Sequence, residues 1–282
     1  MWIEILRWAK TLLYHPIRET RRWWYRCRHA RQKPHDIVCH RAGSVLKFRS
    51  NSVLSESIYV GSGFEDAENT LLRSLAAPGM LAMDIGANMG LYTVLLGKAV
   101  GASGHVWSFE PFQPIVNYLK ENIQLNGLTN ISVVEQAASD QNGRMAFHVF
   151  ADGCDVYNSL GAMERPAEDL RSVKKISVSV TTLDAYADRI GIESIDVLKV
   201  DVEGAEEKVV RGAERLIKRS SNAHIMLEMY EPSATQCGCS SQRLAAVLLD
   251  WGFLMFEVGR DGGLSPCRPD TLSRPYALFK RK

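Results

Sequence analysis

Apolar positions recur with two periods along this chain, and the change between them divides it. In residues 1–33, Ile5, Leu6, Ala9, Leu12 and Leu13 fall at helical spacing, which predicts an amphipathic helix broken or kinked at Pro16. Residues 35–62 run in short alternating stretches, DIVCH, VLKFRS and SESIYV, and predict antiparallel strands. A helix is expected at roughly 65–76. From residue 80, strand-like runs alternate with helical ones: MLAMDI then LYTVLLGKAV, HVWSFE then PIVNYLKENIQL, ISVVEQA, IDVLKVD then AEEKVVRGAERLI, and HIMLEMY. That alternation predicts a parallel sheet covered on both faces. An insertion between ISVVEQA and IDVLKVD carries two expected strands, MAFHVF and KISVSVTTL, on either side of the loop DGCDVYNSLG. After a helix around 241–250, FLMFEV and YALFKRK lie close enough to form a terminal antiparallel pair.

Composition narrows the class. With 46% hydrophobic and 23% charged residues in 282, the chain can bury a large core and is neither fibrous nor disordered. Asp84 and Lys98 interrupt the most apolar region, so no stretch reaches the roughly 18 uncharged apolar residues of a spanning helix. Six scattered cysteines and an N-terminus without a secretory pattern point to the cytoplasm, and a lone C-x-C at Cys237 and Cys239 reads as buried or surface thiols rather than a metal site. The net charge of +2 hides an asymmetry: residues 1–33 carry +7, leaving −5 for the rest. Trp2, Trp8, Trp23 and Trp24 lie among those basic residues, which suits the surface of an anionic bilayer at the inner face of the membrane. Packing of this segment on the domain or on a second subunit is an equal alternative. RNA attraction is the weaker one.

The chemistry starts at MDIGANMG. Gly86 and Gly90 allow a tight turn and close approach of the backbone to a ligand, and Asp84 can accept bonds from ligand donors or order the loop. A dinucleotide fingerprint would place glycine where Asn88 stands and would not set an acid before the first glycine, against a pyrophosphate. A sulfonium and an ammonium group suit Asp84 better, which favours S-adenosylmethionine. Glu110, followed by Pro111, lies where a βαβ unit offers an acid to ribose hydroxyls; Gln136 and Ala137 end the third strand, where an adenine edge can be read. Taken singly, these glycines could be turn residues and Glu110 a solvated acid.

Methyl transfer from a sulfonium needs alignment, and a nucleophile that carries a proton needs an acceptor for it. IDVLKVD ends in Lys199, Asp201 and Glu203, with Lys199 and Asp201 on one side of the strand by period-two alternation. Asp201 is the expected base or substrate ligand, tuned by Lys199; a structural ion pair is the competing reading. Glu228, at the end of HIMLEMY, shares substrate binding or opposes Lys199. Asp201, Glu203 and Glu228 could hold Mg²⁺ through oxygen ligands, but this is the weaker alternative and no residue is assigned to a metal. His105 and His224 open strands at the far end and read as structural, while His148 sits in the insertion. Glu65 and Glu68 either cap the first core helix or close over the cofactor, and Asn158 and Ser159 serve a polyol acceptor or a turn.

The motifs DIGANMGLYT, FEPFQPIVNYLKENIQLNG, VVEQAASD, NSLG, TTLDAYA and IDVLKVDVEGAEEKVVRGA resemble the FkbM-type methyltransferases over roughly residues 58–235. The family's known properties are the expectations that follow: S-adenosylmethionine as cofactor and methylation of a hydroxyl on a sugar, glycolipid or polyketide-like acceptor. The expected fold is α/β, the class I methyltransferase (Rossmann-like) seven-stranded sheet, mostly parallel with a terminal antiparallel hairpin. Ala87 falls inside the matched loop and joins the cofactor-binding set. The basic Trp-rich segment 1–33 and Gln136, where a smaller amide is expected, depart from the pattern. Residues 34–79 form N-terminal strands and a helix, and 80–282 the core. A nucleic-acid methyltransferase is disfavoured, because VDVEG replaces the N-P-P-Y-like turn of nucleobase-amine enzymes and repels phosphate. A catalytically silent membrane-associated scaffold is the reading from another class.

Overall fold

The protein is described by a computed structural model over residues 20–21, 23–25, 27, 35–41, 43–60, 66–150, 158–160 and 174–281. Residues 1–19, which hold the helical spacing of Ile5 to Leu13 and the expected break at Pro16, lie outside the described residues, as do Glu65, Cys154 and most of the DGCDVYNSLG loop.

Strands β1 (Asp36–Arg41) and β2 (Ser44–Arg49) form the expected antiparallel hairpin. The third stretch is not a strand. Val53–Val60 is helix α1, because Ser52 caps it: its carbonyl accepts from Glu56 N and its hydroxyl from Leu54 N, while Ser55 Oγ returns a bond to Ser52 O. Helix α2 (Asp66–Leu75) matches expectation. Its Glu68 neither caps the helix nor covers the cofactor, because its carboxylate is buried in an ion pair with Arg274 at 3.2 Å.

The core follows as β3 (Leu81–Ile85), α3 (Leu91–Val100), β4 (His105–Phe109), α4 (Gln113–Leu125) and β5 (Ile131–Val134). Then come β6 (Ala137–Ala138), β7 (Gly143–Val149), β8 (Lys174–Thr181) and α5 (Leu183–Ile190). The chain continues through β9 (Val197–Val200), α6 (Glu206–Arg211), α7 (Glu214–Arg219), β10 (His224–Glu228), α8 (Glu231–Gln236) and α9 (Ser241–Asp250). Strands β11 (Leu254–Val258), β12 (Leu264–Pro266) and β13 (Tyr276–Lys280) close it. AEEKVVRGAERLI gives two short helices rather than one, parted at Gly212, where a side chain's Cβ would come within 2.0 Å of Ser139 O.

The main sheet runs β12-β11-β13-β10-β9-β3-β4-β5. Strands β5, β4, β3, β9 and β10 are parallel, and β13 lies antiparallel between β10 and β11. Among the described residues the sheet has eight strands, not seven, since Leu264–Pro266 adds an edge strand on β11. The insertion forms a separate sheet, β6-β8-β7, and Ser159 bridges to His148 on its edge.

Alternation along each strand sorts the core into two layers. Met83, Ile85, Leu198, Val200 and Leu227 pack with α5, α6, α7 and α9. Ala82, Val197, Met226 and Leu278 face α2 and α3. Period two therefore assigns Asp84, Lys199, Asp201, Glu228 and Tyr276 to the α3 side of the sheet. Their positions at the carboxyl ends of β3, β9 and β10, and at the start of antiparallel β13, gather them at one edge, where the strand order reverses between β3 and β9.

Candidate functional site

The loop after β3 is built by close contact. Gly86 has φ 78° and lies so near the end of β9 that a Cβ would sit 1.8 Å from Asp201 O. No larger residue fits without parting the two central strands. Gly86 N and Ala87 N both donate to Phe109 O, which ties the turn to β4. Gly90 (φ 94°) starts α3 and lets Leu119 of α4 approach, with a hypothetical Cβ 2.7 Å from its Cδ1. Asn88 and Glu203 are the two non-glycine residues with positive φ among the described residues, at 49° and 56°, and both line the cleft. Strain of this kind gathers at functional loops.

Asp84 is fully buried and does not line the cleft. Its Oδ2 accepts from Thr93 Oγ1 at 2.6 Å, and Lys199 Nζ stands 3.5 Å from Oδ1. Of the two roles open to it, ordering the loop is the one this geometry supports. Lys199, also buried, reaches Gly86 O at 3.2 Å, Asp201 Oδ2 at 3.4 Å and the face of Tyr92, whose ring centre is 4.8 Å away. Tyr276 donates to the same Asp201 Oδ2 at 2.9 Å.

Glu110 sits at the end of β4, buried, with Oε2 accepting from Asn88 N at 3.2 Å and Oε1 from Phe112 N at 2.9 Å. Burial outweighs these bonds and raises its pKa to about 7. Glu206 is a second buried acid raised to about 7 by burial, against bonds from Val202 N at 2.9 Å and Gly204 N at 3.1 Å. It bends the chain after β9 so that Glu203 projects beyond the strand. Gly204 completes this bend, since a Cβ there would lie 2.2 Å from Ser233 O. Ser159 Oγ, from the insertion, donates to Glu203 O at 2.9 Å.

These elements enclose a cavity of about 250 Å³. Of the residues expected from sequence, Gly86, Ala87, Asn88, Glu110, Pro111, Ala137, Lys199, Asp201, Glu203 and Glu228 line it, and Asn158 joins them. Gln136 and Gly90 do not line it, nor do His105, His148 and His224. Asn158 Oδ1 also accepts from Phe150 N at 2.9 Å, which secures the insertion beside the cleft. One carboxylate oxygen from each of Asp201, Glu203 and Glu228 falls within 4.8 Å of the others, a set able to hold a hard divalent cation. Cys237 and Cys239 are buried free thiols. Sequence reasoning missed Tyr276, Glu206 and Thr93. The second acid of VEGAE was a visible signal for Glu206; Tyr276 and Thr93 had none.

A parallel sheet that switches direction at β3 and β9, with an antiparallel strand between β10 and β11 and an acid-lined cleft at the switch point, defines the class I, Rossmann-like methyltransferase fold. The chain belongs to the family described as the methyltransferase FkbM domain, whose sequence profile matches residues 84–255 and whose cofactor is S-adenosylmethionine. It is 29% identical over 158 residues to the 2-O-methyltransferase NoeI of Sinorhizobium fredii, a match covering 52% of this chain and 62% of that one. It is 26% identical over 207 residues to the methyltransferase sdnD of Sordaria araneosa, covering 64% of this chain and 74% of that one. A protein-L-isoaspartate O-methyltransferase of Methanosarcina mazei matches at 25% over 114 residues, 40% of this chain and 45% of the relative. The chain thus spans less than two thirds of the length of two of these relatives.

The cleft suits that cofactor. Among the described residues its lining carries four carboxyl groups, Glu110, Asp201, Glu203 and Glu228, and one ammonium, Lys199, a balance that repels a pyrophosphate and accepts a cationic ligand. The Gly86 turn, which no Cβ can enter, leaves backbone at the cleft wall. No described helix is long and apolar enough to cross a membrane.

Proposed function

We propose that the protein methylates a hydroxyl oxygen of a sugar, glycolipid or polyketide-like acceptor. The observation carrying this reading is Asp201 at the cleft wall, with one carboxylate oxygen held by both Lys199 and Tyr276. A carboxylate fixed in this way can take the acceptor's proton as its oxygen attacks. S-adenosylmethionine, when bound, would supply a methyl group on a sulfonium whose sulfur departs as a thioether. Glu110 would hold the ribose hydroxyls, the Gly86-Ala87-Asn88 turn would present backbone to the cofactor, and Pro111 and Ala137 would line the wall beside it. Asp84 keeps this turn and Lys199 in register. Glu203 and Glu228 bind acceptor hydroxyls, and Asn158 borders the same opening. The 2-O-methyltransferase named among the relatives supports oxygen as the nucleophile.

The test is methyl transfer from labelled S-adenosylmethionine to a saccharide acceptor fraction, with the product identified by mass. Transfer is expected with the native chain and lost in Asp201→Asn, whose cofactor binding persists. Undiminished transfer by that variant removes Asp201 as the base. An absence of cofactor binding by the native chain favours a silent scaffold.

For residues 1–33 we propose contact with an anionic membrane surface. Trp23 and Trp24 are 54% and 60% exposed, whereas Tyr25 is buried with its hydroxyl on Ser50 O and Ser55 Oγ. Sedimentation with phosphatidylserine vesicles is expected to fall for Trp23→Ala/Trp24→Ala, and unchanged sedimentation refutes the contact.

A further inference from the structure

A second cavity, of about 330 Å³, lies between the β1-β2 hairpin, α2 and α3. Its apolar wall includes Leu46, which is buried, and half-buried Leu91 and Leu95. Three cations line it, Arg41, Arg73 and Lys98, against one carboxylate, Asp66. Asp66 is ion-paired with Arg41. Lys98 Nζ donates to two neutral oxygens, Gly43 O at 2.6 Å and Asn126 Oδ1 at 2.8 Å, so its charge is oriented but not neutralised. Arg73 has no carboxylate partner among the described residues. The two cations sense each other: burial and then Arg73 hold the Lys98 ammonium below its usual range. Like charges placed together on adjacent helices, at the mouth of a pocket with an apolar wall, call for an anion.

We propose that this cavity binds a phosphate ester, its phosphoryl oxygens on Arg73 and Lys98 and its organic part against Leu46 and Leu95. A guanidinium and an ammonium on neighbouring helices suit a phosphoryl group, the first through paired donors and the second as a point charge. Leu91 lines both this cavity and the cofactor cleft, so only that side chain's thickness of wall separates them there. The ligand is either a soluble phosphate ester or the headgroup of a lipid; both present the same chemistry. The proposal does not depend on methyl transfer, because none of the cations here belongs to the cleft.

The experiment titrates the full chain calorimetrically with hexyl phosphate, hexanol and inorganic phosphate, and separately with S-adenosylhomocysteine. Hexyl phosphate is expected to bind at least tenfold more tightly than either hexanol or inorganic phosphate. The exposed pair Arg73→Gln/Lys98→Gln is expected to weaken it at least tenfold while leaving S-adenosylhomocysteine binding intact, and Arg73→Lys to weaken it less than Arg73→Gln. On the Trp23→Ala/Trp24→Ala background, sedimentation with phosphatidic acid vesicles that the paired variant lowers identifies the lipid source. Hexyl phosphate binding with sedimentation that the paired variant leaves unchanged identifies a soluble ester. Equal binding of hexanol and hexyl phosphate, or equal binding by native and paired-variant proteins, overturns the proposal. Failure of S-adenosylhomocysteine to bind counts against the methyltransferase reading alone.

Discussion

Glu203→Gly is expected to make the protein more stable and less active. Glu203 holds φ 56° at the bend after β9, in a region that costs an L-residue about 1–2 kcal/mol and glycine almost nothing. Glycine in turn adds about 0.4–1 kcal/mol of unfolded-chain entropy. The difference runs from about zero to about 1.5 kcal/mol in favour of the variant. Removing one of three carboxylates that lie within 4.8 Å of one another acts in the same direction. For a chain of this size each kcal/mol moves Tm by about 2–4 °C. Glu203→Ala is the control, because it loses the carboxylate and keeps the strained backbone. Melting curves of the three proteins, with methyl transfer measured on the same preparations, separate the two contributions. Expected are a Tm for Glu203→Gly at or above native, a lower one for Glu203→Ala, and a raised acceptor KM in both. A glycine variant that melts below both of the others shows that the bend stores no strain. Native KM in both variants removes Glu203 from acceptor binding.

Other perturbations probe the neighbouring groups. Tyr276→Phe removes one donor from Asp201 Oδ2, so methyl transfer is expected to fall while S-adenosylhomocysteine binding persists, with a stability loss of about 1 kcal/mol by denaturant titration. Native methyl transfer in the variant means that Tyr276 only packs. Glu110, raised to about 7 by burial, accepts from ribose hydroxyls more strongly when ionised; S-adenosylhomocysteine affinity is therefore expected to fall below pH 7, by up to about tenfold per unit, and Glu110→Gln to flatten that slope. A native slope in the variant reassigns the titrating group. Glu206 is raised from 4.5 to about 7, so its ionisation withdraws stability as pH climbs from about 4.5 through 7. Glu206→Gln keeps an oxygen for Val202 N and Gly204 N, and its stability relative to native is expected to be higher at pH 8 than at pH 5, by up to about 3 kcal/mol. A difference independent of pH contradicts the buried neutral acid.

The legible part of this fold is what period and spacing control. Alternating strands and helices announced the parallel layer, and period two put Lys199 and Asp201 on one side of β9, where the structure has them 3.4 Å apart. Other features depend on partners distant in sequence. SESIYV alternates like a strand, yet a serine cap makes it helical. Strand β12 exists because Leu264–Pro266 finds an open edge on β11. Tyr276 reaches Asp201 because β13 inserts between β10 and β11, a placement no local pattern encodes. Asp84 was visible as an acid before a glycine; its burial behind Lys199 follows from β3 pairing with β9, in register at Asp84 and Lys199.

That register also decides which variant can test the chemistry. Among the described residues Lys199 is the one cation lining the cleft, and it bridges the acid on β3 to the acid on β9. Replacing it with methionine leaves Asp84 charged and fully buried with Thr93 alone as donor, a change that costs about 3–5 kcal/mol when a buried pair loses one partner. Lost activity in Lys199→Met is then expected to accompany a large fall in Tm, and reports the fold as much as the reaction. Asp201 is 20% exposed and keeps a Tyr276 contact when changed to asparagine, so Asp201→Asn is expected to leave Tm within a few degrees of native. Should Lys199→Met melt like the native chain, the Asp84–Lys199 contact does not hold the fold, and the lysine serves Asp201 rather than the loop.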